Sequence, residues 1–237
     1  MYDRVLNSPE YQRMREACEP CECGSEERRS QCCHAENEEG VPLKQLYLAA
    51  IENLNKLATH LILIHPSLTT LEKREKFGKF MKSAYGEYEE TILKSFKVND
   101  HSKLSGKLNV LKKLLPVWKK ENHKVLLFSN RTKVLDIIEN FLKLYKFSFL
   151  RLDGKTPAEK RQPLVDTFNN TQQHFLFIMT TKVGGLGLNL TSASIVVVFD
   201  PNWNVSWDLQ AQDRVYRIGQ TKDTRIFRLI SANTIEG

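Results

Sequence analysis

The strongest constraint on this chain is an alternation that begins near residue 102. Five short β-rich runs, at 125–128, 147–152, 175–180, 195–199 and 225–230, are separated by stretches of helical period at 103–120, 132–145, 157–169 and 206–217. Runs such as Ile195-Val196-Val197-Val198-Phe199 offer no polar face to water, so each strand is expected to be buried on both sides. A helix between successive strands supplies the crossover that parallel neighbours need and the layers that cover such a sheet. The pattern predicts an α/β domain, a doubly wound parallel sheet, over residues 102–237.

Residues 1–101 differ in kind. From Leu43, the apolar residues Leu46, Tyr47, Ala50, Ile51, Leu54, Leu57, Ala58 and Leu61 recur at spacings of three and four. They predict an amphipathic helix that ends near His65-Pro66, since proline disfavours helix in the residue before it. Residues 71–98 mix Lys and Glu with Phe77, Phe80, Met81, Tyr85 and Tyr88, and predict further helix. Between 16 and 39, eight Glu stand against Arg28 and Arg29, a net charge of −6, with almost no large apolar residue. That segment, to about residue 40, reads as a loop or insertion.

With 237 residues, 41% hydrophobic and 27% charged, the chain suffices for one core with something appended, and is neither collagen-like nor wholly disordered. No apolar run approaches the ~18 residues of a membrane span. Residues 1–6 lack the apolar stretch of a secretory signal, so no membrane partner and a reducing compartment are expected. The net charge of +7 favours a polyanionic partner. It is the difference between the acidic insertion and a basic remainder: residues 94–150 alone carry thirteen Lys/Arg against four Asp/Glu.

Ligands of open α/β sheets collect at the carboxyl ends of strands, so the loops there carry the chemistry. After the 175–180 run comes Thr180-Thr181-Lys182-Val183-Gly184-Gly185-Leu186-Gly187-Leu188-Asn189-Leu190. Such glycines let backbone N–H groups approach an anion and the hydroxyls bond phosphate, although by themselves they serve a simple tight turn equally well. In Gln210-Ala211-Gln212-Asp213-Arg214-Val215-Tyr216-Arg217-Ile218-Gly219-Gln220, Arg214 and Arg217 share a helix face, so two guanidiniums can converge on one polyanion. The plain alternative is a solvated basic face. Arg151-Leu152-Asp153-Gly154-Lys155-Thr156 is an ordinary turn that gains meaning from its company.

In this order and spacing the blocks resemble the second RecA-like lobe of superfamily two helicases, specifically the Swi/Snf-type remodelling ATPases that translocate on double-stranded DNA. Ser105-Gly106-Lys107-Leu108 leading to Lys124-Val125-Leu126-Leu127-Phe128-Ser129-Asn130 looks like the opening helix and motif IV. Arg151 to Gly154 with Arg161 and Phe168-Asn169 is similar to the next block, 180–190 resembles motif V, and 210–220 resembles motif VI. Within the family the pattern is closest to the excision-repair, Cockayne syndrome B-like branch. Residues 1–101 would then be the helical protrusion between lobes.

The resemblance implies that ATP with Mg lies between two lobes. Arg214 and Arg217 would be arginine fingers, supported by Gln210 and Asp213, with Gly185, Gly187 and Asn189 near the nucleotide. Asn130, Lys155, Thr181 and Lys182 would contact the DNA backbone, and Trp203-Asn204 would couple hydrolysis to movement. It also implies a nuclear location and repair or chromatin proteins as partners. Neither a Gly-x-x-x-x-Gly-Lys-Ser/Thr loop nor an Asp-Glu-x-His box occurs in the chain. These belong to the first lobe, so the expectation is a half-motor inactive alone, with a non-catalytic DNA- or protein-binding module as the alternative. Pro201 and Val205 depart from the family's usual loop, and Pro163 is expected to bend or delay its helix.

All five cysteines lie between Cys18 and Cys33, which speaks against a disulfide framework spread over a fold. Cys18, Cys21, Cys23, Cys32, Cys33 and His34 exceed the four ligands a structural Zn²⁺ needs. The irregular spacing speaks against zinc and favours a reduced, disordered insertion, with a zinc site as the alternative.

Overall fold

The computed structural model describes residues 2–33, 35–36, 40–64, 101–184, 188–213 and 223–237. The chain divides into two compact units, Met1–Lys97 with Asn233–Ile235, and Val98–Ala232 with Glu236–Gly237.

In the first unit, α1 (Tyr2–Leu6), α2 (Pro9–Glu16) and α3 (Leu43–Thr59) are helical. Pro9 opens α2, where a missing N–H costs nothing because the first turn has no intrahelical acceptor for it. The apolar stripe of α3 buries Ala50, Leu54 and Leu57 in a cluster with Val5, Tyr11 and Ile64. Instead of running to His65, α3 ends at Thr59: His60 is extended, with φ −166° and ψ 130°, and a 3₁₀ turn follows at Leu61–Ile64. Buried His60 fixes this break by accepting a hydrogen bond from the Ile62 N–H at Nδ1, 3.0 Å away. The helix predicted over 71–98 lies outside the described residues.

The second unit is built on five parallel strands, β1 (Val125–Ser129), β2 (Phe149–Leu152), β3 (Leu176–Thr180), β4 (Ile195–Val198) and β5 (Arg225–Arg228), in the order β2-β3-β1-β4-β5. Helices α4 (Gly106–Lys120), α5 (Thr132–Leu144), α6 (Ala158–Asn170), the short α7 (Thr181–Gly184) and α8 (Val205–Gln212) occupy the connections. Ser105 caps α4 by accepting from the Leu108 N–H. A RecA-like doubly wound sheet is what the sequence predicts, with one correction. The central strands β1, β3 and β4 are buried throughout, whereas β2 is half-buried and β5 is largely exposed. Edge strands have a neighbour on one side only, so fewer side chains are covered.

The core joins Leu126, Phe128, Phe177, Met179 and Val196 of the sheet to Val165 and Phe168 of α6. Helix α6 begins directly after Pro157 and runs through Pro163 to Asn170, so the proline does not delay it. Two lysines are buried and fully engaged. Lys124 Nζ donates to the carbonyls of Phe168 and Thr171, satisfying the carboxyl end of α6. Lys107 Nζ donates to the Phe199 carbonyl at 3.0 Å and pairs with Glu236 at 2.6 Å. Among the described residues no helix is long and apolar enough to cross a membrane.

Candidate functional site

Because all five strands are parallel, the loops that follow them emerge at one edge of the sheet. The order places β1 between β3 and β4, so the chain leaves β1 toward β2 and later passes to β1's other side: this is the topological switch point. Its carboxyl edge is held by a polar seam. The Asn130 N–H donates to Asp200 Oδ1 at 3.0 Å, and its side-chain amide donates to the Asp200 carbonyl at 2.6 Å. Asn202 donates from Nδ2 to Asn130 Oδ1 at 3.0 Å and from its backbone N–H to Asp208 Oδ2 at 2.9 Å. Asn204 Oδ1 then accepts from the Ser206 N–H, which caps α8.

Two carboxyl groups in this seam are buried. Burial pushes Asp200 up to about 7, against the hydrogen bonds of Ser129 and Asn130 and the charges of Lys107 and Arg131, which pull it down. Burial also raises Asp208, against the Asn202 N–H and the charge of Arg228. Asp200 Oδ2 and Asp208 Oδ1 have no hydrogen-bond partner among the described residues. Sequence reasoning missed both residues, although an aspartate ending a run of five apolar residues was a visible signal.

The residues singled out from the sequence fall as follows. Asn130 stands at the end of β1 with both side-chain polar atoms engaged in the seam. Thr181 opens α7 after β3, buried, its Oγ1 unpartnered among the described residues. Lys182 is exposed beside it, and Lys155 is exposed in the turn after β2, where its N–H donates to Asp153 Oδ1. Asp153 is held below the usual carboxylate range, against its burial, by hydrogen bonds from Arg151 and the Lys155 N–H. Arg151 also reaches Asp136 and Glu139, at 2.7 and 2.6 Å. Asn189 is exposed and its carbonyl accepts from Asn169 Nδ2. Trp203 is 85% exposed, and Asn204 and Asp213 are exposed. Gln210 lies in α8. Gly185, Gly187, Arg214, Arg217 and His34 lie outside the described residues.

The thiols form a separate group. Cys21, Cys23, Cys32 and Cys33 bring their Sγ atoms within 4.8 Å of one another, while exposed Cys18 is outside the group. Hydrogen bonding from Ser25, Cys32 and Cys21 lowers Cys23 to about 6, and Cys32 with its neighbours raises Cys33 to about 12.

The parallel five-stranded sheet with helices in its connections matches the RecA-like helicase C-terminal lobe. Residues 106–219 match the helicase conserved C-terminal domain. The whole chain is 40% identical to Switch 2 of Arabidopsis thaliana, spanning 30% of that protein, and 36% identical to the DNA excision repair protein ERCC-6-like 2 of Mus musculus, spanning 16% of it. The crystal structure of the C-terminal part of the Fun30 ATPase domain superposes with a TM-score of 0.66 at 30% identity, over 99% of this chain and 81% of that one. The chain carries the helicase C-terminal domain, and its relatives are Swi/Snf-type ATPases, consistent with the Cockayne syndrome B-like branch.

Proposed function

We propose that this chain is the second lobe of an ATP-dependent motor that moves along double-stranded DNA in the nucleus, in repair or chromatin remodelling, and that it is inactive without its first lobe. The observation that carries this reading is the seam at the switch point. Asn130, Asp200, Asn202 and Asp208 fix the loop from β4 into α8, and that helix leads in sequence to Arg214 and Arg217. A rigid approach matters because an arginine acts on a transferred phosphoryl group only when it is held in place.

The described residues fit a phosphate-bearing ligand at this edge: Thr181 has a buried hydroxyl without a partner among the described residues, exposed Lys182 follows it in sequence, and exposed Lys155 stands in the turn after the neighbouring strand β2. MgATP, when bound between two lobes, would supply the free energy of γ-phosphoryl transfer. Arg214 and Arg217 would stabilise the charge that develops, oriented by Gln210 and Asp213, and Gly185, Gly187 and Asn189 would line the nucleotide. Lys155, Thr181, Lys182 and the backbone near Asn130 would hold DNA phosphates, giving binding that is independent of sequence and weakened by salt. Trp203 and Asn204 would transmit the state of the site to the DNA track.

The test adds a folded first lobe from a relative in trans and measures ATP turnover with and without duplex DNA. DNA-stimulated turnover is expected only in the mixture, and Arg217→Ala should lower it by about 10³–10⁵-fold. Turnover by this chain alone that Arg217→Ala abolishes would overturn the inactive half-motor. DNA binding with no turnover beside a competent first lobe would establish a binding module instead.

A further inference from the structure

The four converging thiols are used by neither the sheet nor its carboxyl edge, and they sit where the chain has least else to hold it. Between Glu16 and Glu36, only Ala17 and Cys21 are buried apolar residues among those described. The backbone nevertheless forms a defined frame. Pro20 and Arg28 make an antiparallel bridge, the Cys21 N–H donates to the Glu27 carbonyl at 2.8 Å, and the Arg29 N–H donates to the Glu19 carbonyl at 2.9 Å. Gly24 at φ +82° and Glu26 at φ +59° turn the chain at the tip between the arms. A 3₁₀ turn at Arg29–Gln31 then delivers Cys32 and Cys33 to the side where Cys21 and Cys23 stand.

We propose that Cys21, Cys23, Cys32 and Cys33 hold one Zn²⁺ in a tetrathiolate site that organises this segment. The dimensions suit a single ion. A tetrahedron with Zn–S of about 2.3 Å has sulfur–sulfur edges of about 3.8 Å. Here Cys23 and Cys32 are 3.2 Å apart, Cys32 and Cys33 are 3.6 Å apart, and all four sulfurs lie within 4.8 Å. A multi-iron cluster, with irons and sulfides between its ligands, needs a wider cage. A purely thiolate donor set is soft, which excludes Ca²⁺ and Mg²⁺ and selects zinc or iron. Cys18, exposed and outside the group, is not a ligand. A structural metal would add to the backbone frame and to the ion pairs of Arg29 with Glu16, Glu19 and Glu22 in a segment that has almost no apolar core.

The test uses the whole chain, purified under reducing conditions without added metal. Elemental analysis should find about one zinc per chain, and exchange with Co²⁺ should produce thiolate-to-cobalt charge-transfer absorption. Alkylation of the folded protein should modify Cys18 and spare the other four cysteines until a chelator is added. Cys18→Ser should keep the metal and Cys32→Ser should lose it. The alkylation pattern needs no variant, so it decides the matter even if Cys32→Ser fails to fold. Five equally reactive thiols after incubation with Zn²⁺, stoichiometric iron in place of zinc, a disulfide within the group in the reduced preparation, or metal lost on Cys18→Ser would each overturn the site.

Discussion

Asn130 and Asp200 tie the carboxyl ends of β1 and β4 together through two hydrogen bonds, one to the Asp200 side chain and one to its backbone carbonyl. The neighbouring strands thereby end in register, and the loop of Asn202, Trp203 and Asn204 starts from a fixed point. The arrangement has a cost, because a carboxyl group is buried with one oxygen unpaired among the described residues.

That cost gives Asp200 a pH signature. In the unfolded chain its carboxyl titrates near ~3.9, whereas in the fold burial raises it to about 7. Between those values the native state holds a proton that the unfolded state releases, so this group makes stability fall as pH rises, by on the order of 1 kcal/mol per pH unit. Asp200→Asn keeps an acceptor for the Asn130 N–H and removes the titration. Urea midpoints measured across about pH 5–7 should fall less steeply in the variant than in the parent; parallel slopes would show that Asp200 is ionised in the fold.

Glu236 should behave as one half of a buried ion pair. Its side chain is 6% exposed and that of Lys107 is 3% exposed. Glu236→Ala leaves the ammonium buried with the Phe199 carbonyl and is expected to cost about 3–5 kcal/mol. A double-mutant cycle with Lys107→Met should recover most of that loss. Denaturant titration of the four proteins checks both expectations.

Gly184 is required by packing. A Cβ there would stand 2.5 Å from Cε1 of Phe128, a fully buried ring that would have to shift within the packed core. Gly184→Ala should destabilise the sheet unit by about 1–3 kcal/mol. Pairing it with Phe128→Leu should restore part of the loss, as read by the thermal midpoint.

Trp203 should separate folding from function. At 85% exposure its replacement by Ala is expected to change stability by no more than about 0.5 kcal/mol. If the loop couples hydrolysis to movement, the same variant should lower DNA-stimulated turnover in the two-lobe mixture while leaving turnover without DNA unchanged. Equal loss in both would remove the coupling role.

Much of this architecture was legible from residues alone, for physical reasons. The runs at 125–128 and 195–199 have no polar face, and strands β1 and β4 lie where they predict. Three and four spacing marks α3 from Leu43, but its end at Thr59 goes with the burial of His60, whose ring then accepts from the nearby Ile62 N–H, and burial is set by packing that no local pattern announces. The position of β5 at the edge is set by pairing order, although Arg225 and Arg228 already marked it as a strand not buried on both faces. At the candidate site, the glycines and arginines advertise themselves by residue type. Asp200 and Asp208 act through their geometry with Asn130 and Asn202, which residue type alone does not announce. The cysteines showed their number and confinement, whereas the convergence of four of the five thiols required coordinates.

The strand order also has a consequence for synthesis. β1 emerges from the ribosome first, yet it pairs with β3 and β4 and never with β2. Its run of apolar residues from Val125 to Phe128 must wait until β3 is made, roughly 50 residues later, which at ~5–20 residues per second is a delay of several seconds. During that interval the future centre of the domain is its most adhesive surface. A nascent chain of this kind is a natural client for a holding chaperone, and codon changes that slow translation between residues 130 and 175 should lower soluble yield without altering the finished protein.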